Sequence, residues 1–262
     1  MSRTSAARSS DAAEQGRAQE LRRALHSQAD PEAAAGLQRF FLEPVPALGV
    51  RSETVARLAY DYATAHPQLS PLDRLALADR LVSEAEHHEE PLLGFALLHR
   101  IARRHLGPEL LDHAERWLEH SVTNWAQCDD LCLKLLHPYF TGHLGDISRS
   151  RGWVRSSSPW ARRAANVAMV KLVQRRIGGE IYRLPVAHVF GNCEALMDDA
   201  DTYVQKGCGW LLKVTAPVHQ QETEEFLRTW RHRMKRDTFR YALEKLDPAT
   251  RARLMALPSS AN

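Results

Sequence analysis

Apolar residues recur at intervals of three and four along most of this chain. Leu72, Leu75, Ala76, Leu81 and Val82 follow this spacing. So do Leu92, Phe95, Ala96, Leu98 and Ile101, then Leu110, Leu111, Ala114 and Leu118. Helix starts are marked by Ser70-Pro71 and Ser158-Pro159, each a capping side chain followed by proline, and by Glu90-Pro91. The pattern predicts helices over 12–28, 32–42, 52–65, 71–87, 91–104, 108–119, 123–137, 159–177, 185–198, 201–215, 220–233, 237–246 and 248–256. No stretch sustains a two-residue alternation, so strands are not expected. Short turns between the segments imply antiparallel neighbours. Many such helices without a heptad pattern make an all-α, curved solenoid the expected fold. One domain is expected over 12–257, with a flexible polar tail at 1–11 and a frayed C-terminus at 258–262. Gly142 to Ser157, rich in Gly, Ser and Arg, reads as a basic loop.

Composition supports helix: alanine, leucine and arginine abound, and clusters of Val and Ile are few. The net charge of +3 says little, but its distribution says more. Between Ile147 and Gly179 stand Arg149, Arg151, Arg155, Arg162, Arg163, Lys171, Arg175 and Arg176, with no acid among them. A second basic run comprises Arg228, Arg231, Arg233, Lys235, Arg236 and Arg240, whereas acids gather at Glu84, Glu86, Glu89 and Glu90. Such segregation fits a phosphate-binding face, and equally a solvated helix surface. The 4 cysteines form no recognisable zinc spacing and are expected to be buried thiols, with no metal and no small-molecule cofactor implied. No apolar run is long enough to span a membrane, and the first residues lack the apolar core of a secretion signal. A cytoplasmic monomer is the expectation.

Three tryptophan motifs carry the candidate chemistry: Trp125-Ala-Gln-Cys-Asp129, Trp160-Ala-Arg-Arg163 and Gly209-Trp210-Leu-Leu-Lys213. Each puts an indole and a charged side chain three or four residues apart, on one helical face. An aromatic beside a carboxylate, and others beside cations, suit a flat cationic base attached to phosphate. The plainer reading is that the indoles fill the core and the charges are solvated. Trp117 and Trp230 lack such a partner and are assigned to packing; Trp153 fits either role. Asp130 projects about 100° from Asp129 and is the poorer candidate.

In the order and spacing of these motifs the sequence resembles the AlkD-like DNA alkylation-repair glycosylases, built from HEAT-like helix pairs. The resemblance rests on Asn124 to Asp129, Trp160 to Arg163, Val204 to Lys213, Arg236 to Leu246, and the turn Leu48-Gly49-Val50-Arg51. It implies a basic concave face that holds duplex DNA carrying alkylated bases, and excision of cationic N3- or N7-alkylpurines without base flipping. Asp129 would be the catalytic carboxylate, with Trp125 and Trp210 contacting the damaged nucleotide. Arg163 would hold a phosphate, and Lys213 would add another contact. Arg162, Lys206, Arg149, Arg151 and Arg155 complete the DNA-binding candidates.

The chemistry also stands without the resemblance. A purine alkylated at N3 or N7 departs neutral and needs no strong general acid. The sugar develops oxocarbenium character, which one carboxylate stabilises. Two other readings remain open: a non-catalytic binder of damaged or branched DNA, and a helical-repeat scaffold for protein partners.

Overall fold

The computed structural model describes residues 3–257, with side chains from residue 11 onward. Its architecture is all-α helical-repeat: helices dominate, and among the described residues the one sheet is a two-stranded hairpin. The chain divides after Gly142 into two compact units.

The first unit holds α1 (Arg3–His26), α2 (Pro31–Leu37), α3 (Ser52–Ala65), α4 (Pro71–Ser83) and α5 (Glu89–His99). It continues with α6 (Ala102–His105), α7 (Glu109–His120), α8 (Trp125–Asp130) and α9 (His137–Gly142). Helix α1 begins at Arg3, inside the segment expected as a polar tail; the expectation for 258–262 lies outside the described residues. Ser70 caps α4 with a reciprocal box: its hydroxyl accepts from Asp73 N at 3.1 Å, and Asp73 accepts from Ser70 N at 2.9 Å. Helix α5 is apolar on nearly every side and therefore lies buried, packed on α3, α4 and α8. Leu77, Leu81, Leu93, Phe95, Leu98 and Trp117 are at most 1% exposed. Each such side chain contributes about 1.5–3 kcal/mol of burial.

A single helix was expected over 123–137, but α8 and α9 flank a π-helical turn, Leu131–Leu136. Pro138 supplies a physical reason. Having no N–H, it cannot donate to the carbonyl four residues earlier, on Lys134. The ring of His99 meets that carbonyl instead, through Nδ1.

The second unit opens with a 3-10 helix, Leu144–Arg155, where a loop was expected. Then come α10 (Pro159–Val167), β1 (Gln174–Ile177), β2 (Glu180–Arg183), α11 (Val186–Ala195), α12 (Thr202–Thr215), α13 (Gln220–Trp230), α14 (Arg236–Ala242) and α15 (Pro248–Met255). Helix α12 packs on both α10 and α14, while α13 packs on α15 and stacks Phe226 on Phe190 of α11 at 4.5 Å.

The predicted helix 159–177 is a correction: it stops at Val167, and its last four residues form β1. Strands β1 and β2 pair antiparallel, with Gln174 opposite Arg183 and Ile177 opposite Glu180 around Gly178-Gly179. Gly178 has φ 63°, as a tight two-residue hairpin turn requires. Four-residue strands exposed on both faces carry no alternation to detect.

Trp153 is 5% exposed and belongs to the core, and Trp117 is buried as packing predicted. All four cysteines are buried and none forms a disulfide. No helix among the described residues is long and apolar enough to cross a membrane.

Candidate nucleic-acid site

Helix α8 begins where Asn124 turns its side-chain oxygen onto Ala126 N and Gln127 N, both at 3.1 Å. That fixes the amide: its Nδ2 donates to His88 Nδ1 at 3.2 Å, so this ring nitrogen carries no proton. His88 is 5% exposed, and burial holds its pKa below the ordinary histidine value. A neutral imidazole therefore forms the floor. Phe41 packs edge-on against it at 5.6 Å, and Trp125 stacks on Phe41 at 5.6 Å. The indole N–H donates to Phe40 O at 3.2 Å. Trp125 is thus a pinned, partly exposed platform, and Asp129, also partly exposed, stands one helical turn on.

Asp130 behaves differently from its neighbour. Its carboxylate pairs with Lys134 at 2.5 Å, and its other oxygen is buried without a hydrogen-bond partner. Burial pushes its pKa above the ordinary carboxylate range, against the pull of Lys134.

Two carboxylates of the acidic cluster read in the sequence, Glu89 and Glu90, are buried. Glu89, 2% exposed, accepts from the backbone N–H groups of Leu48, Gly49 and Val50 at 2.9, 2.7 and 3.1 Å. It anchors the turn in which Gly49 has φ 79° and leaves only 2.1 Å between a would-be Cβ and Asp30 O. Glu90, 1% exposed, accepts from Arg22 Nε at 2.7 Å and from the N–H of His87 at 3.2 Å. Glu90 also lies with His26 and His87 in a group whose donor spacing would suit a metal. Its oxygens are already taken by Arg22 and the backbone, which makes the group an ion-pair anchor.

In the second unit Asp201 caps α12, accepting from Tyr203 N and Val204 N. Tyr203, Lys206, Trp210 and Lys213 then recur at three- and four-residue spacing along α12, all partly or fully exposed. Lys206 lies over the Tyr203 ring at 5.5 Å and Lys213 over Tyr241 at 4.3 Å. Lys213 also pairs with Glu244 at 2.5 Å, which raises its pKa. Gly209 lets α14 approach, since a Cβ there would sit 3.0 Å from Thr238 O and from Tyr241. The sequence reading missed Tyr203 as part of this stripe. Its place three residues before Lys206 is the signal that would have found it.

The remaining DNA-binding candidates are distributed unevenly. Arg163 is only 5% exposed and donates to Tyr203 O at 2.5 Å, which ties α10 to α12. Arg162 is committed to Asp199 at 2.6 Å and to the carbonyls of Ser156 and Ser157. Arg151 and Arg155 are exposed on the 3-10 helix, and Arg149 is partly exposed there. Arg151 Nε donates to His188 Nδ1 at 3.2 Å, and burial holds His188 at a pKa of about 4. The structure brings Trp210, Lys206 and Lys213 onto one surface stripe. Trp125 and Asp129 form a separate pair in the first unit.

The sequence profile described as "DNA alkylation repair enzyme" matches residues 21–246. Among solved structures, a predicted DNA alkylation repair enzyme from Enterococcus faecalis is similar in fold, with a TM-score of 0.71 at 15% identity. That match covers 84% of this chain and 98% of the other. No curated protein matches the chain. With most of its length matched by the family profile, this protein belongs to the DNA alkylation repair enzyme family.

Proposed function

We propose that this protein is a DNA glycosylase that removes N3- or N7-alkylated purines from duplex DNA without turning the base into a pocket. The observation that carries this reading is the partly exposed Trp125–Asp129 pair on α8, on an indole pinned by Phe40 and Phe41. Alkylation gives the purine a positive charge. As the bond from C1′ to the base nitrogen breaks, its electron pair goes to the purine, which leaves neutral, and the sugar takes on oxocarbenium character. Asp129 stabilises that cation. Water adds its oxygen to C1′ and loses a proton to the carboxylate or solvent, leaving an abasic site. The indole offers an electron-rich face to the cationic nucleotide, worth about 0.5–2 kcal/mol depending on desolvation.

Affinity for the duplex rests on the α12 stripe, where Lys206 and Lys213 meet phosphates and Trp210 lies between them. Arg163, buried beneath Tyr203, holds that stripe against α10. Arg149, Arg151 and Arg155 supply further phosphate contacts.

The test is release of 3-methyladenine or 7-methylguanine from randomly methylated duplex DNA. Release by the wild type supports the reading. No release at protein concentrations that bind the duplex overturns it in favour of a non-catalytic reader of damaged DNA.

A further inference from the structure

The second basic run divides into members whose side chains have hydrogen-bond or ion-pair partners and members whose side chains have none. Arg228 pairs with Glu224 at 2.9 Å, Arg233 pairs with Asp198, and Lys235 donates to the carbonyls of Asp199 and Ala200. The other three, Arg231, Arg236 and Arg240, make neither an ion pair nor a side-chain hydrogen bond among the described residues. They line a cavity of about 250 Å³ in the second unit, with Phe239, Met255 and Leu257 as its apolar walls and no acid.

Arg236 and Arg240 stand one helical turn apart on α14 and are exposed, whereas Arg231, just after α13, is only 8% exposed. Its guanidinium lies 4.4 Å over the Phe239 ring, and its buried Nε has no hydrogen-bond partner. Burial and the charge of Arg236 both hold Arg231 below the usual arginine pKa. A buried donor without a protein partner, facing a like charge, is a costly arrangement.

We propose that the cavity of Arg231, Arg236 and Arg240 binds a phosphate group. A tetrahedral oxyanion offers several acceptor oxygens at once, which suits guanidinium forks better than any single hydrogen bond. The volume far exceeds the ~10–15 Å³ that one water needs, leaving room for phosphate and its hydration. Two sources share this chemistry: a phosphodiester of bound DNA, or a free phosphate ester. The site does not depend on Asp129 or on base excision.

The experiment uses the full chain with nitrogen-15 in its arginines and follows the Arg231 Nε–H resonance. Inorganic phosphate is titrated against sodium chloride of matched ionic strength. The expected result is a saturable shift with phosphate alone. Arg236→Gln and Arg240→Gln, changed singly at exposed positions, should each weaken it about tenfold or more. Arg228→Gln, which removes an already paired arginine, should leave it unchanged. Unmodified duplex DNA added to the phosphate complex separates the sources. Displacement of phosphate assigns the site to the DNA backbone, and simultaneous binding assigns it to a free phosphate ester. The proposal is overturned if chloride produces the same shift, if phosphate produces none, or if both glutamine variants bind phosphate as the wild type does.

Discussion

Buried charge is treated differently in the two units. In the first the most deeply buried carboxylates, Glu89 and Glu90, each meet several donors, while Asp130 pairs with Lys134 and keeps one buried oxygen without a partner. Glu89 takes three backbone N–H groups, and Glu90 takes Arg22 and the backbone. In the second unit the buried charges include two arginines, and they differ. Arg163 donates to Tyr203 O, whereas Arg231 keeps an Nε without a partner beside a cavity. A charge whose hydrogen bonds are complete holds the fold together. Arg231, beside a cavity lined by two further unpaired arginines, is where the proposed phosphate would bind. Asp129 and Lys206 belong to neither group: they reach the surface, where substrate contact is open to them.

The largest expected effect on the first half of this contrast comes from Glu89→Ala. It strands three backbone donors around the Gly49 turn and should cost about 3–5 kcal/mol of stability. Urea denaturation measures this. A loss below about 1 kcal/mol would mean that water replaces the carboxylate, and that the buried acids are not anchors.

The proposed DNA-binding role of α12 is tested by salt dependence. Changing Lys206 and Lys213 together to Gln should lower the slope of log affinity against log salt by about 2 and weaken duplex binding at low salt. Arg162→Gln, which removes a residue tied to Asp199, should disturb stability more than that slope. An unchanged slope in the double lysine variant would remove α12 from the DNA-binding surface.

A smaller effect concerns pH. Folding depresses the pKa of His88, and that of His188 to about 4. Below about pH 6.5 the unfolded chain takes up protons that the folded chain refuses, so stability falls as the solution becomes more acidic. Each such histidine adds about 1.4 kcal/mol per pH unit to that slope at full effect. His188→Asn should flatten the slope by about half a proton near pH 6.5 and by nearly one proton near pH 5. A slope equal to the wild type's would show that His188 takes up its proton in the folded state.

Much of this was legible in the sequence. Ser70-Pro71 and Ser158-Pro159 cap α4 and α10, and the periodicity of 52–65 is α3 itself. Trp125 and Asp129 do lie one turn apart on α8, and the motif Gly209-Trp210 marks where α14 presses on α12. What escaped depends on contacts distant along the chain. Glu89 and Glu90 look like surface acids until the turn at Gly49 and Arg22 are brought to them. Arg162 and Arg163 are neighbours in the sequence, yet one pairs with Asp199 and the other lies buried against Tyr203. The helix expected over 159–177 failed because Arg175 and Arg176 look helical locally, while the Gly178-Gly179 turn folds them into β1. The π-helical turn before Pro138 is set by one missing N–H that apolar periodicity cannot register.

The central claim is that Asp129 acts in bond cleavage and the cations act in binding. The direct measurement is single-turnover release of methylated purines from duplex DNA by wild type and Asp129→Asn, with duplex affinity measured alongside. The account predicts a rate lower by about 10²–10³-fold with affinity nearly unchanged, because the charge removed matters chiefly in the transition state. Equal rates, or a fall in rate matched by the fall in affinity, would contradict it.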